Sequence, residues 1–239
     1  MQPSHTPKSG EIREMFDRLA PRYDLFNQLS SLGMDSLWRK KALEPVKPGM
    51  RVLDLGCGTG DLSLDALKRL ENAGEVVGLD FSKKMLDFAA QRAEKEGFWQ
   101  TKHLRFVKEG AQNLPLAGDS PYDLVISGFV LRNLYEMIDR VLEGVHRSLK
   151  SGGQISFLDF TEPPNPIILT LWRFYMNSVV ALYGKVLFGK DYPDFYMTES
   201  AKRFVKPAEF VKKLEKAGFK NIKTRSFMLG IISLYQAEK

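Results

Sequence analysis

The sequence predicts a doubly wound α/β domain, with a seven-stranded, mostly parallel sheet and helices on both faces. Five short apolar segments (51–55, 75–79, 104–109, 122–127 and 154–159) alternate with amphipathic stretches, the pattern of parallel strands joined by right-handed helical crossovers. The run LDLGCGTGD, residues 53–61, sets a glycine-rich turn between the first strand and the next helix. A helix at 207–217 and two strand-like segments at 220–226 and 231–237 complete a sheet of seven with antiparallel pairing at one edge.

Composition narrows the class before any motif is weighed. The chain has 239 residues, 44% of them apolar and 27% charged, which suits one large domain or one domain with an insertion. The single Cys57 excludes an internal disulfide and a cysteine-rich zinc site. His5, His103 and His146 are too scattered to pair, so no metal site is expected. Net charge is +6, but no dense basic run and no basic patch interleaved with aromatics stands out. The basic residues read as solvated helix faces, and no nucleic-acid partner is expected. The first residues lack the apolar run of a leader, so a cytoplasmic protein is expected.

Taken in order, residues 1–10 carry two prolines and a glycine and read as loose. From 11 to 44 the apolar period is helical: Ile12, Met15, Phe16 and Leu19, then Tyr23, Phe26, Leu29 and Leu32, then Leu37 and Trp38. Pro21 and Gly33 divide it into short pieces, and residues 1–45 are expected to form a helical cover over substrate and cofactor. Residues 46–162 form the α/β core. The turn Lys47-Pro48-Gly49 leads into RVLDL (51–55), with a helix over 61–72. EVVGL (75–79) precedes a helix over 82–97 whose N-cap is Ser82. LRFVKE (104–109), YDLVIS (122–127) and QISFLD (154–159) follow, the last after a helix over 136–149 stopped by Ser151-Gly152-Gly153. Pro163-Pro164-Asn165-Pro166 breaks the pattern and opens an aromatic-rich helical insertion or lid, 163–204. Residues 205–239 return to the core. The longest apolar stretch, Pro166 to Phe188, is interrupted by Arg173 and Lys185, leaving no charge-free run of about 18 residues, so it is not expected to span a bilayer.

The glycine loop names a cofactor class. Gly56, Gly58 and Gly60 allow a sharp turn and close approach of a ligand to the backbone. A dinucleotide fingerprint needs G-x-G-x-x-G, and the third glycine falls on Asp61 or Ser63, so that reading fails. Asp61 would also stand beside a pyrophosphate. S-adenosylmethionine has no phosphate. Asp54 suits its cationic end, and Asp80, 20 residues after Gly60, suits its ribose hydroxyls, with Phe81 next in the chain. Gly110 and Ala111 follow strand three, where small residues let an adenine lie against the backbone. Ser127 and Gly128 end strand four, where the sulfonium is expected.

At this point the chain resembles the ubiquinone/menaquinone biosynthesis C-methyltransferases. The resemblance runs from about Met15 to Lys239. It rests on Met15-Phe16-Asp17, Tyr23-Asp24-Leu25-Phe26-Asn27 and Gly33-Met34-Asp35-Ser36-Leu37-Trp38-Arg39, on the loop 53–61, and on Leu131-Arg132-Asn133-Leu134. Tyr196-Met197-Thr198-Glu199-Ser200 and Gly230-Ile231-Ile232-Ser233-Leu234-Tyr235 are similar to its C-terminal features. By position it implies cofactor contacts at Thr59, Asp80, Gly110, Ala111 and Gly128. Gly110 stands where the family more often has Asn, Lys202 where it tends to have Arg, and Asp194 where an aromatic is common. Pro207 sits later than the family's usual proline. The resemblance implies methylation of a ring carbon of a reduced, prenylated quinone precursor. Arg132 would stabilise the ring phenolate, Asn133 orient a ring oxygen and Tyr23 contact the ring. The insertion would cover a prenyl tail or rest on a membrane, which makes peripheral membrane contact the expectation. A small-molecule O- or N-methyltransferase on the same fold is the alternative, and an RNA-directed or non-enzymatic protein the more distant one.

Overall fold

The computed structural model describes residues 9–71, 73–98, 101–192 and 206–239, with side chains from residue 14 onward and that of 191 left aside. The motif at 196–200, Asp194, Lys202 and His5 lie outside the described residues.

Seven strands form one sheet: β1 (Arg51–Leu55), β2 (Glu75–Asp80), β3 (Leu104–Lys108), β4 (Tyr122–Gly128), β5 (Leu149–Phe160), β6 (Lys220–Phe227) and β7 (Ile232–Glu238). Their order is β3-β2-β1-β4-β5-β7-β6. β1 pairs in parallel with both β2 and β4, with Asp54 opposite Gly78 on one side and Ile126 on the other. β7 is antiparallel to both β5 and β6, so the reversed strand stands one place in from the edge. The chain runs outward from β1 to β3 and then restarts at β4 on the other side of β1. That reversal opens a crevice at the carboxyl ends of β1 and β4, where open α/β sheets bind ligands.

Strand alternation builds the two core layers. Val52, Val76, Leu124 and Ile126 face α4 (Asp61–Arg69), packing on Leu62, Ala66 and Leu67. Their neighbours Leu53, Val77 and Val125 face the opposite way, onto Val141, Leu142 and Val145 of α6 (Ile138–Ser148). α5 (Lys83–Lys95) starts at the expected cap, Ser82 Oγ accepting from Met85 N at 3.0 Å. Three N-terminal helices, α1 (Ser9–Leu19), α2 (Tyr23–Ser30) and α3 (Asp35–Ala42), lie over the sheet's functional end.

The predicted boundaries move in three places. α4 ends at Arg69 rather than 72. The segment before α6 is a 3-10 turn, Leu131–Met137, which shortens the helix expected over 136–149. β5 begins at Leu149, because the residues around Gly152 run into the strand instead of separating it from α6. The insertion contains one long helix: α7 (Pro166–Tyr175), a π-helical stretch Met176–Val180 and α8 (Ala181–Phe188). Asn165 caps its start, accepting from Ile167 N at 2.9 Å, and Pro166 follows at the first helical position. Trp172, Met176 and Val180 bury one face of this helix against Phe26 of α2. A final helix, α9 (Pro207–Lys216), seats Phe210 edge-on to Tyr235, with ring centroids 4.7 Å apart.

Candidate active site

A cavity of about 450 Å³ opens at the switch point between β1 and β4, a size typical of small-molecule sites. Gly56, Gly58 and Gly60 all take positive φ, +71°, +53° and +87°. Gly56 also needs to be glycine for space: a Cβ there would stand 2.6 Å from both methyls of Val130. Gly56 N and Cys57 N both donate to Leu79 O, at 2.7 and 3.0 Å, which fastens the loop to the end of β2.

Asp54 and Asp80 stand at the ends of β1 and β2. Asp54 is buried; its Oδ2 accepts from Ser63 Oγ at 2.6 Å, and its Oδ1 is buried with no partner among the described residues. Burial pushes its carboxyl up to about 7; the Ser63 bond opposes this, and the nearby Asp80 and Asp61 add to it. A buried carboxylate with an orphaned oxygen facing a cavity fits a cationic ligand group such as an ammonium. Asp80 accepts from Gly58 N at 2.9 Å and from Ser82 N at 2.8 Å. Burial raises it to about 6 against the pull of those bonds. Each of its oxygens keeps a lone pair, which fits a pair of ribose hydroxyls.

Glu109, Gly110, Ala111 and Gln112 form the cavity wall after β3. A Cβ on Gly110 would meet only the flexible end of Gln112, 2.3 Å away, whereas one on Gly128 would strike Leu62 at 2.7 Å. Phe81 lies edge-on to Phe16 at 6.4 Å, and Phe16 edge-on to Tyr23 at 5.9 Å, an aromatic chain leading from the end of β2 to α2. Asp54 and Asp80, with the small residues after β3, are chemically suited to S-adenosylmethionine.

The cavity brings together most of the residues singled out from sequence: Tyr23, Asp54, Gly56, Gly58, Thr59 and Asp80, then Phe81, Gly110, Ala111, Gly128 and Asn133. Three sit behind its wall. Gly60 caps α4, where a Cβ would crowd Ala89 at 3.1 Å. Ser127 is fully buried and donates to Leu55 O at 2.8 Å, tying β4 to β1. Arg132 is buried: its NH1 lies 2.6 Å from Asp159 Oδ1 and donates to Phe129 O at 2.8 Å, and its backbone N donates to Asp159 Oδ2 at 2.9 Å. Phe129 holds φ +62°, rare for a bulky side chain, and its ring packs 5.0 Å from Phe160. Arg132 and Asp159 thus brace a strained turn in the cavity wall. Burial raises the Tyr23 phenol above its usual 10, while the Arg132 guanidinium and a hydrogen bond with Asn27 pull it down.

The cavity is also lined by Asn27, Phe129, Val130, Leu134 and Met137, to which the sequence reading gave no role. Asn27 was legible in principle, since it stands four residues after Tyr23 and so on the same helix face. Phe129 and Val130 fill the gap between Gly128 and the LRN motif. Thr59 Oγ1 donates to Asp24 Oδ1 at 2.5 Å, so the loop meets α2 there.

The profile of the ubiE/COQ5 methyltransferase family matches residues 4–239. A demethylmenaquinone methyltransferase of Lactiplantibacillus plantarum is 34% identical over 95% of this chain and 95% of its own. The ubiquinone/menaquinone biosynthesis C-methyltransferase UbiE of Geotalea daltonii is 32% identical over 98% of each. Among solved structures, an S-adenosylmethionine-dependent methyltransferase from Aquifex aeolicus superposes with a TM-score of 0.63 at 19% identity, covering 95% of this chain and 97% of its own, a likeness of fold. The chain therefore belongs to the ubiE/COQ5 methyltransferase family and is an S-adenosylmethionine-dependent enzyme.

Proposed function

We propose that the protein methylates a ring carbon of a reduced, prenylated quinone precursor, a demethylmenaquinol or a 2-methoxy-6-polyprenyl-benzoquinol. One observation carries this reading: a single cavity is walled both by the cofactor set around Asp54 and Asp80 and by Tyr23 and Asn133. The names carried by relatives that align end to end supply the acceptor class.

S-adenosylmethionine supplies, when bound, an electrophilic methyl group on a sulfonium. Asp54 would hold its ammonium and Asp80 its ribose hydroxyls, with Gly110 and Ala111 beside the adenine. The acceptor's ring carbon would be held in line with that methyl, so that a carbon–methyl bond replaces the sulfur–methyl bond, and the ring proton would pass to water as the ring regains aromaticity. Holding both partners in register lowers the entropic part of the barrier. The ring must also be electron-rich, which favours a phenolate. Free phenols titrate near 10, so a positive charge nearby matters. Arg132 supplies that charge from behind the wall, where it already favours the phenolate form of Tyr23. Asn133 orients a ring oxygen, and Tyr23 contacts the ring from α2. A lipophilic acceptor favours a cytoplasmic enzyme in peripheral contact with the inner face of the membrane.

The reading is tested by methyl transfer from labelled S-adenosylmethionine to short-chain demethylmenaquinol, to the benzoquinol, and to simple phenols and amines. A single added methyl on a quinol ring carbon, located by mass spectrometry, is the expected result. Transfer only to phenolic oxygen or amine would establish the alternative activity, and transfer to neither quinol would end the assignment.

A further inference from the structure

The long helix Pro166–Phe188 has two unlike faces. One is buried against Phe26, as described. The other exposes Ile167, Leu171, Phe174, Leu182 and Val186, each between 60 and 74% accessible. Over 23 residues the helix is long and apolar enough by composition to cross a membrane, but its packed face commits it to the protein and leaves a one-sided stripe.

The π-helical stretch keeps that stripe straight. In an uninterrupted α-helix Leu182 would stand roughly 80° around from Phe174, at about 100° per residue. The wider turn at Met176–Val180 absorbs close to one residue. Leu182 and Val186 are thereby returned to the face that carries Ile167, Leu171 and Phe174. The result is an apolar row roughly 28 Å long at 1.5 Å per residue, interrupted at its middle by exposed Asn177 and Ser178.

Within the ridge segment the charge is basic, with Glu162 and Asp191 at its borders. Residues 163–190 contain Arg173, Lys185 and Lys190 and no Asp or Glu. Arg173 is paired with Glu162 at 2.8 Å, which offsets its charge, and Lys185 and Lys190 lie at the surface. Exposed Arg22 of α2 donates to Leu187 O, adding a third cation at the α8 end. A second copy docked here would set a cationic segment against itself, whereas an anionic lipid surface complements both the ridge and its charge.

We infer that this ridge docks the protein on an anionic bilayer, with the helix lying in the interfacial plane. α2 connects the ridge to the cavity: Phe26 packs on Trp172 and Met176, Tyr175 Oη donates to Ser30 O at 3.3 Å, and Tyr23 and Asn27 line the cavity. The docked bilayer is then one helix away from the site. This deepens the reading of a membrane-borne acceptor, but the docking itself is tested without it.

The test is co-sedimentation with vesicles of phosphatidylcholine alone and of phosphatidylcholine with phosphatidylglycerol, using the full chain and the double variant Leu171→Glu/Leu182→Glu. Circular dichroism and S-adenosylmethionine binding serve as fold controls. The wild type is expected to sediment with anionic vesicles, less so at high salt, and the variant to lose about tenfold or more of that partition. Turnover of a short-chain, water-soluble acceptor is expected to be unchanged in the variant, while turnover of a long-chain acceptor in vesicles falls. Absence of wild-type partition overturns the inference, as does partition that the variant retains, or a dimer seen by light scattering that the variant abolishes without any vesicle binding. Vesicle binding lost in the variant, with neither quinol methylated, upholds the docking face and removes only the proposed acceptor.

Discussion

Asp54 is held in the form a neutral apolar pocket prefers, and a cation reverses that preference. Its folded-state value of about 7 lies above the ordinary 3.8, so the native protein takes up a proton that the unfolded chain has released. The contribution of Asp54 to stability is complete below about 3.8 and is lost as pH rises through 7; Asp80, near 6, behaves likewise. A bound cation favours the ionised carboxylate, so S-adenosylmethionine is expected to bind about tenfold more tightly at pH 8 than at pH 6 and to release protons on binding. Calorimetry in buffers of different ionisation enthalpy reads both quantities. Asp54→Asn should weaken binding about 10- to 100-fold at pH 8 and flatten the pH profile; an unchanged profile would place the titrating group elsewhere. Arg132 braces the wall through Asp159, and the proposed reaction would also draw on its charge. Removing one partner of a buried pair costs about 3–5 kcal/mol, so Arg132→Ala is expected to melt lower while still folding at reduced temperature. Its kcat is expected to fall about 100-fold with S-adenosylmethionine affinity nearly intact. Asp159→Asn keeps the guanidinium and removes its counter-charge, which should move the acidic limb of the pH–rate profile to lower pH. A purely structural Arg132 would leave that limb in place.

At the scale of elements, the N-terminal helices and the glycine loop behave as one assembly. Asp24 of α2 accepts from Thr59 at 2.5 Å and pairs with Arg92 of α5 at 3.0 Å. Arg92 also reaches Asp61 at 2.8 Å, and Arg39 of α3 bridges Asp61 at 3.1 Å and Asp35 at 2.6 Å. The pairs are partly solvated, so each contributes only a few tenths of a kcal/mol to about 1. Together they hold α2 and α3 against the loop. Arg92→Ala is therefore expected to raise the S-adenosylmethionine Kd about fivefold and to speed amide exchange across α2 and α3, leaving exchange in β1 and β4 unchanged. Exchange that rises uniformly would mean global destabilisation instead. This assembly was only half legible in the sequence. The helices at 11–44 followed from apolar spacing, and the loop from its glycines. Their union depends on ion pairs between residues such as Asp24 and Arg92, 68 positions apart, and no local pattern announces such a pair.

For the whole molecule, the alternation of strands and helices was enough to predict the sheet, because each strand needs two apolar faces and each helix one. The position of β7 between β5 and β6 needed the structure, since both edges of a sheet look alike to a single strand. The same limit applied at the site. Asp54 and Asp80 were legible because they end strands at fixed distances from the glycines. The burial of Arg132 was not, because Asp159 closes on it from another strand. The π-helical turn escaped the sequence reading altogether: apolar residues occupy both sides of that helix, and a shift of one position leaves their average spacing almost unaltered. That turn makes the segment's length, more than its spelling, the inherited quantity. Losing one residue between 176 and 180 would restore a regular α-turn with Ala181–Phe188 facing as it does, whereas closing the π-turn into α-helix at unchanged length would swing that segment through about 100°. Phe188 would leave its place 5.6 Å from Phe26, and Val186 would turn away from the ridge. Exchanges of Leu, Ile, Val or Phe on the outer face should accumulate freely over time, while a loss outside 176–180, or a gain anywhere in the helix, should be selected against.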